Sequence, residues 1–202
     1  VEPEPAAEPE TKPETGQESE SIFKTFSGYG AVLKDYAYVA FMLASMLMLL
    51  VYLQMYNTLS VFLRDVHGIS PQIYGIVMTS SAITVILFQF PTTRIIKHRP
   101  PFLMMALGSF FYMLGFGMFG FVATNWLFAT ALVVITIGEM IIMPTSQALA
   151  ANFAPEDMRG RYMAVFGLAW SIPSIIGPSA SGYILDNFNP FLLWYLDAGI
   201  SV

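Results

Sequence analysis

Charged side chains in this chain are confined to short stretches, and what lies between them is apolar and long. No residue from Tyr36 to Leu63 is charged, with Asp35 and Arg64 as the bounds. A second uncharged run goes from Gly68 to Thr93 and stops at Arg94. Between Pro100 and Pro155 the only charge is Glu139, a distance too long for one span. The sequence ATNW at 123–126 divides it into a Gly-rich segment at 101–122 and a further one at 125–150. A fifth runs from Tyr162 to Leu185, ended by Asp186, Asn187 and Asn189, and a sixth begins near Pro190 and stops with the chain. Each of the five complete runs reaches the roughly 20 residues that a helix needs to cross a bilayer. Strict alternation of polar and apolar positions is absent, so strands do not fit. The pattern predicts an all-α, polytopic helical membrane protein. Its spans fall at about 36–63, 69–93, 101–122, 125–150 and 162–185, with a truncated sixth at 190–202.

Composition agrees. Hydrophobic residues make up 55% of the 202 and charged residues 11%, against about 25% charged in soluble domains. The acidic balance belongs to a tail. Residues 1–20, VEPEPAAEPETKPETGQESE, hold seven of the fourteen acids and one of the nine basic residues. Rich in Pro and Glu and without apolar periodicity, this tail has too little surface to bury and is expected to be disordered, with an acidic linker over 1–34 and the membrane part over 35–202. The first residue is Val and the last residues, LWYLDAGISV, lie inside another hydrophobic element, so the chain reads as a fragment cut at both ends.

Basic residues orient the spans. Arg94, Lys97 and Arg99 fall between spans two and three, Arg159 and Arg161 between spans four and five, and Lys12, Lys24 and Lys34 precede span one. These lie on one side, and only Arg64 lies on the other. The positive-inside rule places the tail and the two basic loops in the cytoplasm, and a multi-pass protein of the cell (inner) membrane is expected. His67 falls in a short outer loop, where it is expected to be exposed.

Glu139 is the residue that asks for a reason. A charge at the centre of an apolar helix costs about 2.5–3.5 kcal/mol on insertion scales. Helical spacing puts Thr136, Glu139, Met143, Ser146 and Gln147 on one stripe, and Pro144 beside it removes a backbone donor. Span one has a matching stripe of Gln54, Asn57 and Thr58, which could line a cavity or bond helices together. Span two offers Thr79, Ser80, Ser81, Thr84 and Gln89, residue types that usually bond between helices. In span five Pro173 and Pro178 predict a bend or hinge, and Gly177 and Gly182 permit close helix packing.

The chain has no cysteine, which excludes disulfides, thiolate metal sites and cysteine nucleophiles. It carries no phosphate-binding glycine loop, no His–Glu metal motif and no Ser/His/Asp set. Neither cofactor nor metal nor nucleic acid is implied, and an enzyme is not.

Several of these segments resemble a known family. APEDMRGRYMAVFGLAW followed by IIGPSASGYIL, the intramembrane GEM with Pro144 after it, and YLQMYNTLSVFLRDVHGIS leading into PQIYG resemble the carboxyl-terminal half of major facilitator superfamily transporters, nearest the bacterial drug:proton antiporter branch. The resemblance implies that the five spans are the seventh to eleventh helices of a twelve-helix fold, with spans one and four lining a central cavity. A missing amino-terminal six-helix half, the lipid bilayer, protons and a small-molecule substrate become the expected partners. PTTRIIKHRPP would match the family's second cytoplasmic gating loop, although the Gly and Asp of that pattern are absent. The implied function is proton-coupled export by alternating access, with Glu139 as proton or substrate carboxylate. The alternatives are an importer of sugars, peptides or anions, or a membrane scaffold.

The absence of native cysteine allows a direct check of the orientation. Single cysteines at 98 and 159 should label from the cytoplasmic side and cysteines at 67 and 124 from outside. Labelling at 124 from the cytoplasmic side alone would reverse the assignment.

Overall fold

A computed structural model describes residues 28–201. The acidic tail and most of the expected linker, residues 1–27, lie outside the described residues. The linker was expected to run to residue 34, but 28–34 is helical. Val32 there is fully buried in a cluster with Tyr38 and Phe41, and the Arg161 guanidinium lies over Gly28.

Seven α-helices follow. The first, α1, spans Tyr36–Asn57 and starts where the Asp35 carboxylate accepts the Tyr38 N–H. One residue, Thr58, separates it from α2, Leu59–His67, so the first predicted span is interrupted near its end. Gly68 closes α2 with φ 63, the left-handed conformation that glycine adopts without steric cost. Ser70 and Pro71 then start α3, Pro71–Ile96, as an N-cap and first-turn proline. Next come α4, Pro101–Phe119, and α5, Asn125–Phe153. A 3-10 turn at Glu156–Met158 leads into α6, Arg159–Asn187, and α7 covers Phe191–Ile200. Five helices are long and apolar enough to cross a membrane: Tyr36–Asn57, Pro71–Ile96, Pro101–Phe119, Asn125–Phe153 and Glu156–Asn187. Among the described residues there is no strand. Pro91, Pro144, Pro173 and Pro178 all sit inside continuous helices.

The helix order in space follows from where side chains are small. α5 packs most extensively against α4 and then α3, α1 against α6, and α4 against α7. Where α4 meets α5 three glycines leave no room for a Cβ of their own. A Cβ on Gly138 would lie 2.7 Å from the Gly108 carbonyl oxygen and from Tyr112 Cδ1. Gly108 and Gly115 are pressed just as closely by Ile142 and Ile135. Small residues of this kind let membrane helices approach until backbone dispersion contacts form.

Aromatic clusters close both ends. At the end that carries the basic loops, Tyr38 hydroxyl donates to the Tyr162 carbonyl, Tyr162 hydroxyl donates to Asp35, and Phe41 stacks between Phe153 and Phe166. At the opposite end Phe62, Phe116, Phe119, Phe128, Phe191 and Trp194 pack edge to face, tilted or stacked.

The packing yields a matched pair of variants. Gly138→Ala should destabilise the solubilised protein by about 1–3 kcal/mol, because backbone and a ring must move. Gly182→Ala, whose Cβ would meet nothing within 4 Å, should be neutral or slightly stabilising. Thermal unfolding in detergent reads the difference; equal losses would remove the close-approach argument.

Candidate functional site

Glu139 leaves α5 on the side facing α1. Its Oε1 accepts a hydrogen bond from the Tyr52 hydroxyl at 2.9 Å, and the Tyr56 hydroxyl lies 3.3 Å from that of Tyr52. Residues 52 and 56 are one helical turn apart, so both rings stand on the same face of α1, edge to face at 5.3 Å. Tyr56 is 46% exposed, so a line of three oxygen-bearing groups runs from the bundle surface to the carboxyl. Glu139 Oε2 is buried and has no hydrogen-bond partner among the described residues. A carboxyl with one satisfied and one unsatisfied oxygen in an apolar surround has capacity left for a proton or a donor.

The stripe expected along α5 divides between several surroundings. Thr136 is fully buried and turned to α3, where its hydroxyl lies 2.7 Å from Ser81 Oγ and donates to the Leu132 carbonyl. Met143 and Ser146 line a small cavity of about 10 Å³ with Ser45, Met48, Met105 and Trp170. Such a volume is at the threshold for one water molecule, and Ser45 Oγ there has no partner among the described residues. Gln147 is exposed. Pro144 is half-buried, and the neighbouring Thr145 and Ser146 hydroxyls donate back to the Ile141 and Met143 carbonyls.

The span-one stripe is also split. Gln54 and Thr58 are buried, with Thr58 Oγ1 2.6 Å from Gln54 Oε1 and 2.9 Å from Ser181 Oγ of α6. A hydroxyl has one proton, so with Thr58 donating to Gln54 the Ser181 hydroxyl donates either to Thr58 or to the Gly177 carbonyl, 2.8 Å away. This network spans the interruption at Thr58. Asn57 is exposed.

On α6, Gly177 is buried, and a Cβ there would meet Gln54 Nε2 and Leu50 at 3.9 Å. Pro173 is buried and Pro178 exposed, and Gly182 is not in close contact. The span-two hydroxyls bond within α3 to Gly75, Val77 and Ser80 carbonyls, apart from the Ser81–Thr136 link. Arg94, Lys97, Arg99 and Arg159 are exposed and Arg161 is partly covered.

Three groups were not singled out from sequence. Tyr52 and Tyr56 carried a signal in their one-turn spacing on a helix expected to line a cavity. Asp197 of α7 is 2% exposed, and its Oδ2 has no partner among the described residues; it looked like part of an unfinished apolar run. His67, expected to be exposed, is partly buried, its ring packed edge-on against Phe62, Phe128 and Phe191.

An α-helical membrane bundle with an inward carboxyl held by a tyrosine of the facing helix is the class this geometry defines. The chain belongs to the Major Facilitator Superfamily, whose family model matches residues 40–202, and is part of a multi-pass membrane protein. It is 25% identical over 166 residues to a Na(+), Li(+), K(+)/H(+) antiporter of Planococcus maritimus, covering 74% of this chain and 39% of that protein. It is 26% identical over 200 residues to the uncharacterized MFS-type transporter YhjO of Bacillus subtilis (strain 168), covering 96% and 48%. A shorter match, 27% over 66 residues, is to the multidrug transporter protein MdtP of the same organism, covering 33% and 12%. The chain therefore spans less than half the length of these relatives.

His67 gives a pH test. Burial pushes its pKa below the ordinary imidazole value, so the folded state resists protonation. Its contribution is full above the unfolded pKa, about 6.5, and is lost as pH falls through the folded value. Taking the pH from 7.5 to 5 should therefore lower the melting temperature more for the wild type than for His67→Phe, which keeps the ring packing. Parallel shifts in the two proteins would show that the imidazole is not the sensing group.

Proposed function

We propose that the whole protein is a secondary active transporter of the inner membrane, that this chain supplies its carboxyl-terminal half with the tail in the cytoplasm, and that it exports small molecules in exchange for protons. The observation that carries the reading is the Tyr52–Glu139 hydrogen bond with Glu139 Oε2 left unpartnered. Ionised, the carboxylate accepts from Tyr52; protonated, it can donate its own proton to a substrate or hydroxyl. Two six-helix halves rocking about a midplane site would alternate the side to which this carboxyl opens. Each elementary charge moved across 100 mV supplies about 2.3 kcal/mol for the cycle. The names of the Planococcus antiporter and the Bacillus multidrug transporter support exchange chemistry and small-molecule export respectively. The first of these names also makes monovalent-cation export the second reading, on the same carboxyl.

The test uses the full-length protein in vesicles, assayed both for a cationic dye and for Na⁺ under a proton gradient. Glu139→Gln should insert and express like the wild type but lose proton-driven flux, and Glu139→Asp should retain part of it. Tyr52→Phe, which removes one hydroxyl and keeps the ring, should slow flux roughly two- to tenfold, the scale of one hydrogen bond. Wild-type flux in Glu139→Gln would leave Glu139 a structural hydrogen-bond partner. Flux of Na⁺ without dye would select the cation reading.

A further inference from the structure

At the end of the bundle that carries the basic loops, the last turn of α3, the start of α4 and the last third of α5 enclose a cleft of about 270 Å³. Its rim and its floor differ in chemistry. Lys97, Arg99 and Asn152 stand exposed at the rim. The buried Ile96 and Leu149 with Pro144 form an apolar floor, the exposed Ala148 and Pro101 lie at its edge, and Thr93 and Thr145 add two hydroxyls. Both cations are exposed, and the α3–α4 connection from Arg94 to Arg99 contains no acid. Among the described residues the only ion pair is Arg64–Asp65, at the opposite end of the chain's first span. Lys97 and Arg99 are therefore not matched to a described carboxylate. Their depth also matters. α3 ends at Ile96, so Lys97 and Arg99 follow directly on the end of an apolar run, the position from which basic side chains reach the interfacial layer.

An occupant must bring negative charge to the rim and hydrocarbon to the floor. Basic pockets between membrane helices at the cytoplasmic side suit lipid head groups, each nearby Lys or Arg adding to the attraction. A guanidinium donates two parallel hydrogen bonds to a phosphate and an ammonium acts as a point charge beside it. The chain's own acidic tail offers the charge but not the hydrocarbon, because residues 1–20 hold Val1 as the only long or branched apolar side chain. We propose that this cleft binds an anionic phospholipid, with the phosphate on Lys97 and Arg99 and an acyl chain lying over Ala148 and Leu149.

The experiment is native mass spectrometry of the full-length protein, purified in detergent and supplied with phosphatidylglycerol or, as the neutral control, phosphatidylcholine. The wild type should retain phosphatidylglycerol at least about tenfold over phosphatidylcholine. The double variant Lys97→Gln/Arg99→Gln should fall to the phosphatidylcholine level, and Lys97→Arg should not. Ala148→Trp keeps both cations and sets a bulky ring against the apolar side of the cleft, so it too should lose the lipid. Retention by Ala148→Trp at the wild-type level would reduce the effect to diffuse surface charge and overturn the site. Unchanged retention in the double variant would do the same. Displacement of the lipid by excess inorganic phosphate would assign the rim to a free anion, and displacement by a peptide of residues 1–20 would assign it to the tail; either result also overturns the proposal. The surface variants keep the test decisive if the tryptophan variant does not fold. The readout is binding and stands apart from transport.

Discussion

The approach of α4 to α5 through glycine is the constraint from which the site follows. At Gly138 even one methyl group would collide with the Gly108 carbonyl and the Tyr112 ring, so α5 is held in one rotation against α4. Successive helix positions are about 100° apart, and Glu139 is therefore turned away from α4 by the residue that precedes it. On another side Thr136 is fixed to α3 by its hydroxyl contact with Ser81. With two faces of α5 clamped, the carboxyl has to emerge toward α1, and Tyr52 is the group that it meets there. The position of the only charged side chain of α5 is thus set by residues that carry no charge.

Two packed groups of helices result. α1 is tied to α6 by Tyr38 and Tyr162 at one end, by Gly177 seated over Gln54, and by Thr58 on Ser181. α5 is tied to α3 and α4, and α4 to α7. Most polar links within each group join neutral hydroxyl, amide and carbonyl groups, whose partners do not change with pH in the physiological range. Between the groups lie the small cavity lined by Met143 and Ser146 and the hydrogen bond from Tyr52 to Glu139. A link that includes a carboxyl depends on its protonation, whereas the neutral links do not. In the proposed cycle this places the titratable connection at the seam where α1 faces α5.

The all-helical fold and its spans were legible because charge-free runs in a membrane leave few alternatives: backbone groups must bond within the segment. Boundaries and the interruption of the first span were not, since Thr58 depends on Gln54 one turn before it and on Ser181 far along the chain. The polar stripes were found as spacings, but spacing does not say which neighbour a side chain meets. Thr136 and Glu139, three positions apart, face different helices. Tyr52 and Tyr56 do not stand out in the sequence because tyrosine is common in membrane segments without a polar role, whereas Gln and Asn do. His67 lies in a polar-looking sequence and is drawn inward by Phe128 and Phe191 from helices distant in the chain. Each of these depends on tertiary contact, which a single sequence does not display.

Two carboxyl groups lie inside the bundle, and burial alone does not choose between them. Asp197 is the more deeply buried, at 2% exposure, and it too has an unpartnered oxygen. Among the described residues, however, no hydroxyl or amide bonds that oxygen, the Tyr195 hydroxyl of the same helix donating to Gly120 instead, and the indole N–H of Trp194 has no partner either. Glu139 is reached by Tyr52, and Tyr52 by the exposed Tyr56. A proton moves along groups that can both donate and accept, and phenolic hydroxyls can do so. A buried acid without such a line can hold one protonation state but exchanges slowly with anything outside. Connectivity, not depth, is what distinguishes Glu139, and the exchange role is proposed for that residue on this ground.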